Sequence, residues 1–540
     1  MDGRLNDSST AHHGEPDLDR LPRLLLLVCA ILALVELAAC ATLPSVTQRA
    51  PSTTLVAAPG TRLASAVASL DLPPDASAVR ALPEAEFALD ARIALMRATD
   101  VSLDVQTYLL ADDALGRQMV REMSDAAARG VRVRLLVDDL LTHSVNELLL
   151  GLAASPNVEV RVYNPFAMGR TAVVGRLLNL LTDFERLNHR MHNKLLVADG
   201  RVALIGGRNL AAEYFERHPT DNFVDLELVL AGAVVPMLSV AFDQYWNSDR
   251  AFPLSAVAHD ELAPDARRTT LAAMTAADGH ASVPLQQRDS LGRIPLSAEL
   301  NAGHLDWIVA GATAVADSPA KGLDTAEGHA AETVAQRFRL RLSQAHSEAL
   351  VVTPYFIPID GDVAQLRGLR EQGINVRVIT NSIDSTDEPL ASLKYGGYRT
   401  EILKMGVSLY ELGPNLLDRD PHLRNGLGSS RGRLHAKFAI VDRELVMVGS
   451  MNFDRRSANL NTEVGVGVRS AALAEELRGY WQLDSPPAFY EVRLEPTDGS
   501  IQWLVSNPDG TRDVERAPQG RWLDQLRARL FSLFVSDDLL

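Results

Sequence analysis

The chain has 540 residues, 46% of them hydrophobic, which is enough for two domains that each have a core. Its formal net charge is −16. That balance argues against a nucleic-acid groove, which needs a basic surface, so nucleic acid is not an expected partner.

Residues 1–40 are predicted to be a lipoprotein-type signal peptide. Leu24–Val35 is an apolar run preceded by Arg20 and Arg23, and it is too short to span a bilayer. Leu37–Cys40 resembles a bacterial lipobox, in which Cys40 would become the lipid anchor. The alternative is an ordinary signal peptide with an idle cysteine. We expect a membrane-anchored lipoprotein of the bacterial cell envelope that faces the periplasm.

Five further segments follow the signal peptide. Residues 41–75 are rich in Ala, Thr, Ser and Pro, which predicts a flexible tether. Residues 76–255 and 331–490 are predicted as two α/β lobes, and residues 256–330 as a loop-rich crossover segment. Residues 491–540 form a C-terminal extension, where apolar residues from Trp522 to Phe534 share one face of an amphipathic helix. That face either packs on the core or rests on a bilayer.

Both lobes open with the same predicted pattern of strand, helix and strand. In the first lobe these elements are Val101–Leu109, Asp113–Arg129 and Val131–Val137, and in the second they are Ala349–Phe356, Val363–Gln372 and Ile374–Thr380. Gly130 and Gly373, which precede the third element, are 243 positions apart. The repeat predicts two similar lobes, each a mixed sheet flanked by helices, around a pseudo-twofold axis.

One unusual motif occurs twice at this same offset of 243 residues. The first copy is His192, Lys194, Asp199 and Gly206–Asn209, and the second is His435, Lys437, Asp442 and Gly449–Asn452. A chance match has a probability on the order of 10⁻⁸ per start position. The chain has only five lysines beside 48 arginines. A site that keeps Lys in such a chain requires a compact ammonium group.

Strand geometry gives the motif a chemistry. In the apolar runs that begin at His192 and His435, the histidine and the lysine two residues later should project from one face. A second strand then ends where small residues leave the backbone accessible, and an asparagine follows; these positions are Gly207 with Asn209 and Ser450 with Asn452. Imidazole, ammonium, amide and N–H groups together can hold a phosphodiester and transfer its phosphoryl centre to a histidine.

The motifs resemble those of the phospholipase D superfamily, and residues 80–540 resemble in particular the C-type cardiolipin synthases of bacteria. The segments that carry this resemblance are Leu103–Tyr108, Asn164–Phe166, Thr182–Phe184, Arg190–Lys194, Gly206–Asn209, Thr380–Ser382 and Asn452–Ser457. The resemblance implies two phospholipase D-like lobes with one active site at their pseudo-twofold interface. It implies no cofactor and no metal, because two ammonium groups supply the positive field.

The resemblance also implies roles for single residues. His192 would be the nucleophile that forms a phosphohistidine, and His435 the acid that protonates the leaving alcohol. The groups that would bind phosphate are Lys194, Lys437, Asn209, Asn452, Gly207 and Ser450. A carboxylate after each motif would orient a histidine: Glu463 matches the second motif, and Asp225 is the looser match for the first. The motif carboxylates Asp199 and Asp442 belong to the catalytic set that the resemblance implies; they either touch substrate or fix a strand turn, and we expect the turn.

The implied reaction is phosphatidyl transfer, in which phosphatidylglycerol attacks a phosphatidyl-histidine and yields cardiolipin. Hydrolysis of phospholipid by water is a related outcome. The expected partners are the membrane surface and its phospholipids, phosphatidylglycerol first and phosphatidylethanolamine second. Two alternatives remain, a phosphodiesterase acting on nucleic acid and a non-catalytic envelope lipoprotein. Lys321 is a further candidate, either reaching the site or lying in solvent.

Overall fold

The structure is a computed structural model that describes residues 43–44, 50–167, 169–258, 261–276, 286–323, 332–507, 511–515 and 518. The predicted signal peptide with Cys40 and the predicted helix from Trp522 to Phe534 lie outside the described residues. Within the described ranges, no helix is both long enough and apolar enough to cross a membrane.

The first lobe is built on a mixed sheet. Its strands, together with β7 outside the sheet, are β1 (Ser77–Leu82), β2 (Ser102–Thr107), β3 (Arg132–Asp138), β4 (Val158–Tyr163), β5 (Leu195–Ala198), β6 (Val202–Gly206), β7 (Asp221–Val224), β8 (Glu227–Gly232) and β9 (Ala251–Pro253). They pair in the order β9-β4-β3-β2-β5-β6-β8-β1. Among these pairings only β2–β3 and β3–β4 are parallel, and helical crossovers join these three strands.

Helices cover this sheet. They are α1 (Arg62–Ala68), α2 (Ala85–Ala98), α3 (Ala114–Ala128), α4 (Asn146–Ala153), α5 (Val173–Thr182), α6 (Phe184–Asn188), α7 (Val235–Trp246), α8 (Leu254–Val257), α9 (Pro264–Thr275) and α10 (Leu296–Ala302). α3 illustrates why a helix begins where it does. The Asp113 carboxylate accepts a hydrogen bond of 2.8 Å from the Gly116 N–H, which satisfies a donor that has no partner within the helix.

The second lobe repeats the plan. Its strands are β10 (Ile308–Ala316), β11 (Glu348–Val352), β12 (Asn375–Asn381), β13 (Ser408–Leu412), β14 (Arg431–Leu434), β15 (Phe438–Val441), β16 (Leu445–Gly449), β17 (Val464–Arg469), β18 (Phe489–Leu494), β19 (Ile501–Ser506) and β20 (Arg512–Glu515). Its helices are α11 (Val334–Ser343), α12 (Asp360–Glu371), α13 (Pro389–Lys404), α14 (Pro421–Leu427), α15 (Arg455–Asn459) and α16 (Ala471–Tyr480). The sheet order is β10-β17-β16-β15-β11-β12-β13-β18-β19-β20.

The two sheets are continuous, because β1 and β10 pair antiparallel. β10 therefore lies in the second sheet where β1 lies in the first. This corrects the predicted loop-rich crossover over residues 256–330, within which Ile308–Ala316 is the first strand of the second lobe. The Ala- and Gly-rich sequence of β10 hid the strand, since it lacks the alternation of large apolar residues that marks one.

The lobes are joined in two further ways. β7 of the first lobe and β14 of the second pair parallel, with Phe223 opposite Arg433. One apolar cluster contains side chains from both lobes, among them Leu228 and Phe242 from the first and Phe438 and Trp481 from the second. The predicted α/β architecture of two similar lobes is confirmed.

Residues 50–75 differ from the predicted flexible tether. The buried Arg134 guanidinium lies 2.6 Å from Asp104 and 2.7 Å from Asp243, and it also donates to the Ser52 carbonyl at 2.9 Å. Thr54 binds the same two carboxylates, with its hydroxyl 2.7 Å from Asp104 and its N–H 3.0 Å from Asp243. The segment covers a buried charge cluster, which explains why polar, small residues here are ordered against the lobe.

Candidate active site

The histidines of the two motifs are each held by a carboxylate from the other lobe. His192 Nδ1 lies 3.0 Å and 3.1 Å from the two carboxylate oxygens of Glu463. His435 Nδ1 lies 2.6 Å from Oδ2 of Asp225. A neutral His192 that donates Nδ1–H to the Glu463 carboxylate keeps its Nε2 lone pair free for chemistry. The structure therefore brings both motifs to one interface.

Backbone pairing between the lobes produces this crossing. The His192 N–H donates to the Thr462 carbonyl at 2.9 Å, one residue before Glu463. In the same way the His435 N–H donates to the Val224 carbonyl at 2.8 Å, one residue before Asp225. Glu463 and Asp225 are 238 residues apart whereas the histidines are 243 apart, which is why Asp225 looked like the looser match.

Glu463 is fully buried and has more than one donor. Ser450 Oγ donates to one of its oxygens and Ser457 Oγ to the other, the latter at 2.7 Å. The pKa of Glu463 is lowered: burial is the largest single effect and raises it, but the interactions with His192, Lys194 and the Ser450 hydroxyl together outweigh burial. Ser450 was predicted to bind phosphate. Its hydroxyl instead serves Glu463, and its N–H donates to the Val464 carbonyl.

Gly207 has the corresponding place beside Asp225. A Cβ at this position would lie 2.2 Å from Asp225 Oδ1, so only glycine leaves room for the carboxylate. The Gly207 N–H is also occupied, because it donates to the Leu226 carbonyl at 3.2 Å. The prediction of accessible N–H groups at Gly207 and Ser450 is therefore wrong. The small residues Gly207 and Ser450 at the strand ends leave room for the carboxylates of Asp225 and Glu463.

The lysines lie just before β5 and β15, not within a strand as predicted. Lys194 Nζ reaches back to the His192 carbonyl at 2.7 Å, and Lys437 Nζ reaches the His435 carbonyl and lies 2.9 Å from His435 Nδ1. Both lysines are buried. Burial lowers the pKa of Lys437 to about 8 and lowers that of Lys194 well below its ordinary value.

The lysine of each motif affects the pKa of the histidine in the other motif. Burial lowers the pKa of His192 to about 4, and the charge of Lys437 from the other motif adds to the shift. Burial also lowers the pKa of His435, with contributions from both Lys437 and Lys194. A buried imidazole next to two cations stays neutral at neutral pH, which is the state that a nucleophile needs.

Asn209 and Asn452 each have a buried amide oxygen without a hydrogen-bond partner. Rotation of either amide by 180° would place its NH₂ group at the same point. A buried polar group that is left unsatisfied is costly, and in the rotated amide the NH₂ group would donate to a phosphoryl oxygen, which removes that cost. Their positions fit the phosphate-binding role that the resemblance implies.

Asp199 and Asp442 lie at the far ends of β5 and β15 from the histidines, and both have positive φ angles, 56° and 53°. The Asp199 carboxylate accepts hydrogen bonds from the N–H groups of residues 100–102. Asp442 does the same for residues 346–348, and these bonds lower its pKa although burial opposes the shift. Both carboxylates hold a strand turn and are occupied there.

Lys321 is buried and does not contact the histidines. Its ammonium group lies 2.6 Å from Asp317 and donates to the Ser457 and Asn461 carbonyls at 2.7 and 2.8 Å. Asp317 in turn accepts from the Glu463 N–H at 2.9 Å. Of the two alternatives for Lys321, neither is right. It supports the segment that carries Glu463.

Sequence reasoning missed the aromatic side chains around the imidazoles. The Tyr108 ring packs edge-on against His192 at 5.1 Å, and Tyr214 packs edge-on against His435 at 5.0 Å. Phe223 contacts His435 as well, at 4.9 Å. Only Tyr108, which stands at the end of a polar-apolar strand, had a signal in the sequence. These rings reduce the access of water to the histidines.

The ends of β3 and β12 hold the backbone just before each histidine. The Asp138 carboxylate accepts from the Met191 N–H at 2.9 Å, and the Asn381 amide oxygen accepts from the Leu434 N–H, also at 2.9 Å. Both pairs are separated by the offset of 243. Within the described part of the chain, no cluster of three or more His, Cys, Asp or Glu side chains has the arrangement of a metal site.

Comparison with known proteins also divides the chain into two similar regions, one around each motif. A family model described as "Cardiolipin synthase, PLD-like domain" matches residues 92–246 and again residues 339–483. Each match contains one of the two motifs.

Two relatives are similar over most of the chain. Cardiolipin synthase C of Escherichia coli (strain K12) is 33% identical over 481 residues, which are 89% of this chain and 100% of the relative. Cardiolipin synthase A of Pseudomonas aeruginosa is 26% identical over 409 residues, 75% of this chain and 66% of the relative.

Among solved structures, the phosphatidylserine synthase of Haemophilus influenzae Rd KW20 has a similar fold. The TM-score is 0.55, and the match covers 84% of this chain and 93% of that chain at 14% identity. At this identity the likeness concerns the fold alone.

Proposed function

The chain belongs to the cardiolipin synthase family of the phospholipase D superfamily, and we propose that it is a phosphatidyltransferase that makes cardiolipin from phosphatidylglycerol and a phospholipid donor. The observation that carries this proposal is the crossed pairing of His192 with Glu463 and of His435 with Asp225. It gives one interface two oriented imidazoles, which is what a double displacement at phosphorus requires.

In the first half of the reaction, the Nε2 lone pair of His192 attacks the phosphorus of the donor. The bond from phosphorus to the leaving alcohol breaks, and His435 gives its Nε2 proton to the departing oxygen while its Nδ1 takes the proton of the Asp225 carboxyl group. Both proton transfers run in reverse in the second half. Lys194, Lys437, Asn209 and Asn452 bind the non-bridging oxygens, where negative charge concentrates. In the second half, His435 takes the proton of a phosphatidylglycerol hydroxyl, whose oxygen attacks phosphorus. The N–P bond then breaks, and its electron pair returns to His192.

The two His–carboxylate pairs differ, and the difference supports His192 as the nucleophile. Glu463 has a lowered pKa, so it stays ionised and can hold the Nδ1–H tautomer of His192. Asp225 has a raised pKa, because it is buried, although Lys437 and Arg208 act against the shift. A carboxyl group of that kind can share a proton with His435, which suits the residue that must gain and lose one.

Turnover of labelled phospholipid by the purified protein tests the proposal. With phosphatidylglycerol present, labelled cardiolipin should form; without it, the label should appear in phosphatidic acid only to the extent that water replaces the lipid alcohol. A denaturing gel should show an acid-labile, alkali-stable phospho-adduct that is absent in His192→Ala. If no lipid class gives product or adduct, the chain is not an enzyme of this kind.

The same assay separates the alternatives. Phosphatidic acid as the main product at saturating phosphatidylglycerol would make the chain a phospholipase D. Cleavage of nucleic acid would make it a nuclease, which the net charge of −16 disfavours. A complete absence of activity would leave a non-catalytic envelope lipoprotein, which the intact pair of motifs disfavours.

We also propose that the protein is a lipoprotein of the bacterial envelope, anchored by Cys40 and facing the periplasm. The support is the sequence pattern Leu37–Cys40 after a short apolar run. Incorporation of labelled palmitate by the wild-type chain but not by Cys40→Ser would support this, and equal labelling of both would contradict it.

A further inference from the structure

The helix α5, which ends ten residues before His192, has an inverted polarity. Four of its apolar side chains are exposed, whereas Leu178 and Leu180 are half-buried. With Phe184 of α6 the four form what we call the apolar ridge: Val173, Val174, Leu177, Leu181 and Phe184, with exposed fractions of 77, 67, 56, 69 and 46%. The polar Arg176 and Asn179 of the same helix are buried. A helix on an aqueous surface has the opposite arrangement.

The buried polar side chains fix this orientation. The Arg176 guanidinium donates to the Arg170 carbonyl at 2.9 Å and to the Asp139 carbonyl at 2.8 Å, and it lies 4.0 Å from the centre of the Phe166 ring. The Asn179 amide oxygen accepts from the Ala167 N–H at 3.1 Å. Rotation of the helix to hide its leucines would break these bonds, so the ridge is held outward.

The ridge is tied to the catalytic histidine through one short loop at the end of β3. Asp139 binds Arg170 and Arg176, which hold α5, whereas the adjacent Asp138 binds the Met191 N–H just before His192. The ridge therefore has a fixed position relative to His192, and so does any surface that binds to the ridge.

We propose that the apolar ridge inserts into the boundary between head groups and acyl chains of a phospholipid bilayer and so presents the active site to its lipid substrate. This identification of the surface rests on the proposed function. The local charge is compatible with it: residues 160–182, which include all of α5, contain no Asp or Glu although the chain has a net charge of −16. Two acids, Asp183 and Glu185, flank Phe184 at the end of the ridge, and Asp183 is paired with the Arg186 guanidinium at 2.6 Å. A second copy of the chain fits less well, because five partly exposed side chains are a fraction of the ~800 Å² per partner that a stable dimer buries.

Fluorescence at two matched positions tests the location of the ridge. In the full-length chain with Cys29→Ser and Cys40→Ser, Leu177→Cys carries an environment-sensitive fluorophore; the control is Val240→Cys on α7, which has the same exposed fraction of 56%. With vesicles of phosphatidylglycerol and phosphatidylethanolamine bearing brominated acyl chains, emission at 177 should shift to the blue and lose about half its intensity. Emission at 240 should not change.

Three outcomes would overturn the inference. They are no quenching at 177, equal quenching at both positions, and an emission at 177 that is already shifted without vesicles and reverts on dilution, which would indicate a second copy of the chain.

Kinetics provide a second, independent measure. Leu177→Asp with Leu181→Asp should lower turnover of vesicle lipid about tenfold and leave turnover of dispersed short-chain phospholipid within about twofold of the parent. Val240→Asp should change neither. Equal loss on both substrates would contradict the role of the ridge. If the parent turned over no lipid, the proposed function would fail, yet the fluorescence at 177 would still report whether the ridge enters a bilayer.

Discussion

His192 Nδ1 lies 3.0 Å from Oε2 of Glu463, a carboxylate 271 residues further along the chain and in the other lobe. Glu463→Gln keeps the shape but can present an amide NH₂ to the ring, which favours the wrong tautomer. We expect kcat to fall about 10³- to 10⁴-fold. The measurement is turnover of labelled phospholipid, with the exposed Glu332→Gln as a matched control that should retain full activity. Wild-type kcat in Glu463→Gln would show that His192 does not depend on this carboxylate.

The contact between Gly207 and Asp225 gives a prediction about glycine. In Gly207→Ala the new Cβ would fall 2.2 Å from the Asp225 oxygen, so the carboxylate must move away from His435. We expect a loss of kcat of at least about 10²-fold, the size of effect that misplaced catalytic groups have. Gly368→Ala, on α12, is the control, because a Cβ there meets no atom within 4 Å. Equal kcat in the two variants would mean that Asp225 is not needed where it stands.

The pH dependence of kcat/KM follows from two shifted pKa values. His192 must be neutral to attack, and its buried position lowers its pKa to about 4. Activity should therefore persist as pH falls through 6.5, where an ordinary histidine is protonated, and be lost near pH 4. Lys437 must be charged, and burial lowers its pKa to about 8, so activity should also decline as pH rises through 8.

Rates on dispersed lipid between pH 3.5 and about 10 would show the two limbs, and circular dichroism over the same range would separate them from unfolding. An acid limb near 6.5 would contradict a buried, neutral His192.

The ion pair of Lys321 with Asp317 predicts a change in stability. Lys321→Met removes the cation that pairs with the buried Asp317 carboxylate and the donor to two carbonyls, and we expect the free energy of unfolding to fall by about 3–5 kcal/mol. The double variant Asp317→Asn with Lys321→Met removes that charge and should recover about half of the loss.

Denaturant unfolding of the single and double variants measures the pair as a cycle. If the double variant is no more stable than Lys321→Met, the buried charge is not the cause. Because Asp317 also binds the Glu463 N–H, kcat should fall in Lys321→Met with little change in KM.

Much of the site could be predicted because its functional residues occur in a sequence motif that is repeated. His192 with Lys194 and His435 with Lys437 share one spacing, and the same offset of 243 relates Asp138 to Asn381 and Met191 to Leu434. The predicted strand, helix and strand of each lobe agree to within a few residues with β2, α3 and β3 and with β11, α12 and β12, since their apolar periods are regular. The elements that open each lobe, β1 with α2 and β10 with α11, were not predicted.

The rest depends on contacts between distant residues, which no local pattern contains. Glu463 and Asp225 were recognised as carboxylates of the site, but their exchange between lobes arises from the backbone pairing of Thr462 and Val224 with the opposite histidines. Ser450 and Gly207 were predicted to face phosphate because small residues are ambiguous. They admit a ligand or a neighbouring side chain equally well, and here the neighbour is a carboxylate.

The exchange of carboxylates means that each lobe carries a histidine that it cannot orient and an acid that it cannot use. Two separately expressed lobes would thus be inactive alone, and turnover would appear only when the two lobes are mixed and associate. The dependence of the regained rate on lobe concentration would measure the affinity of the two lobes for one another, which includes the pairing of β1 with β10, when no covalent connection joins them.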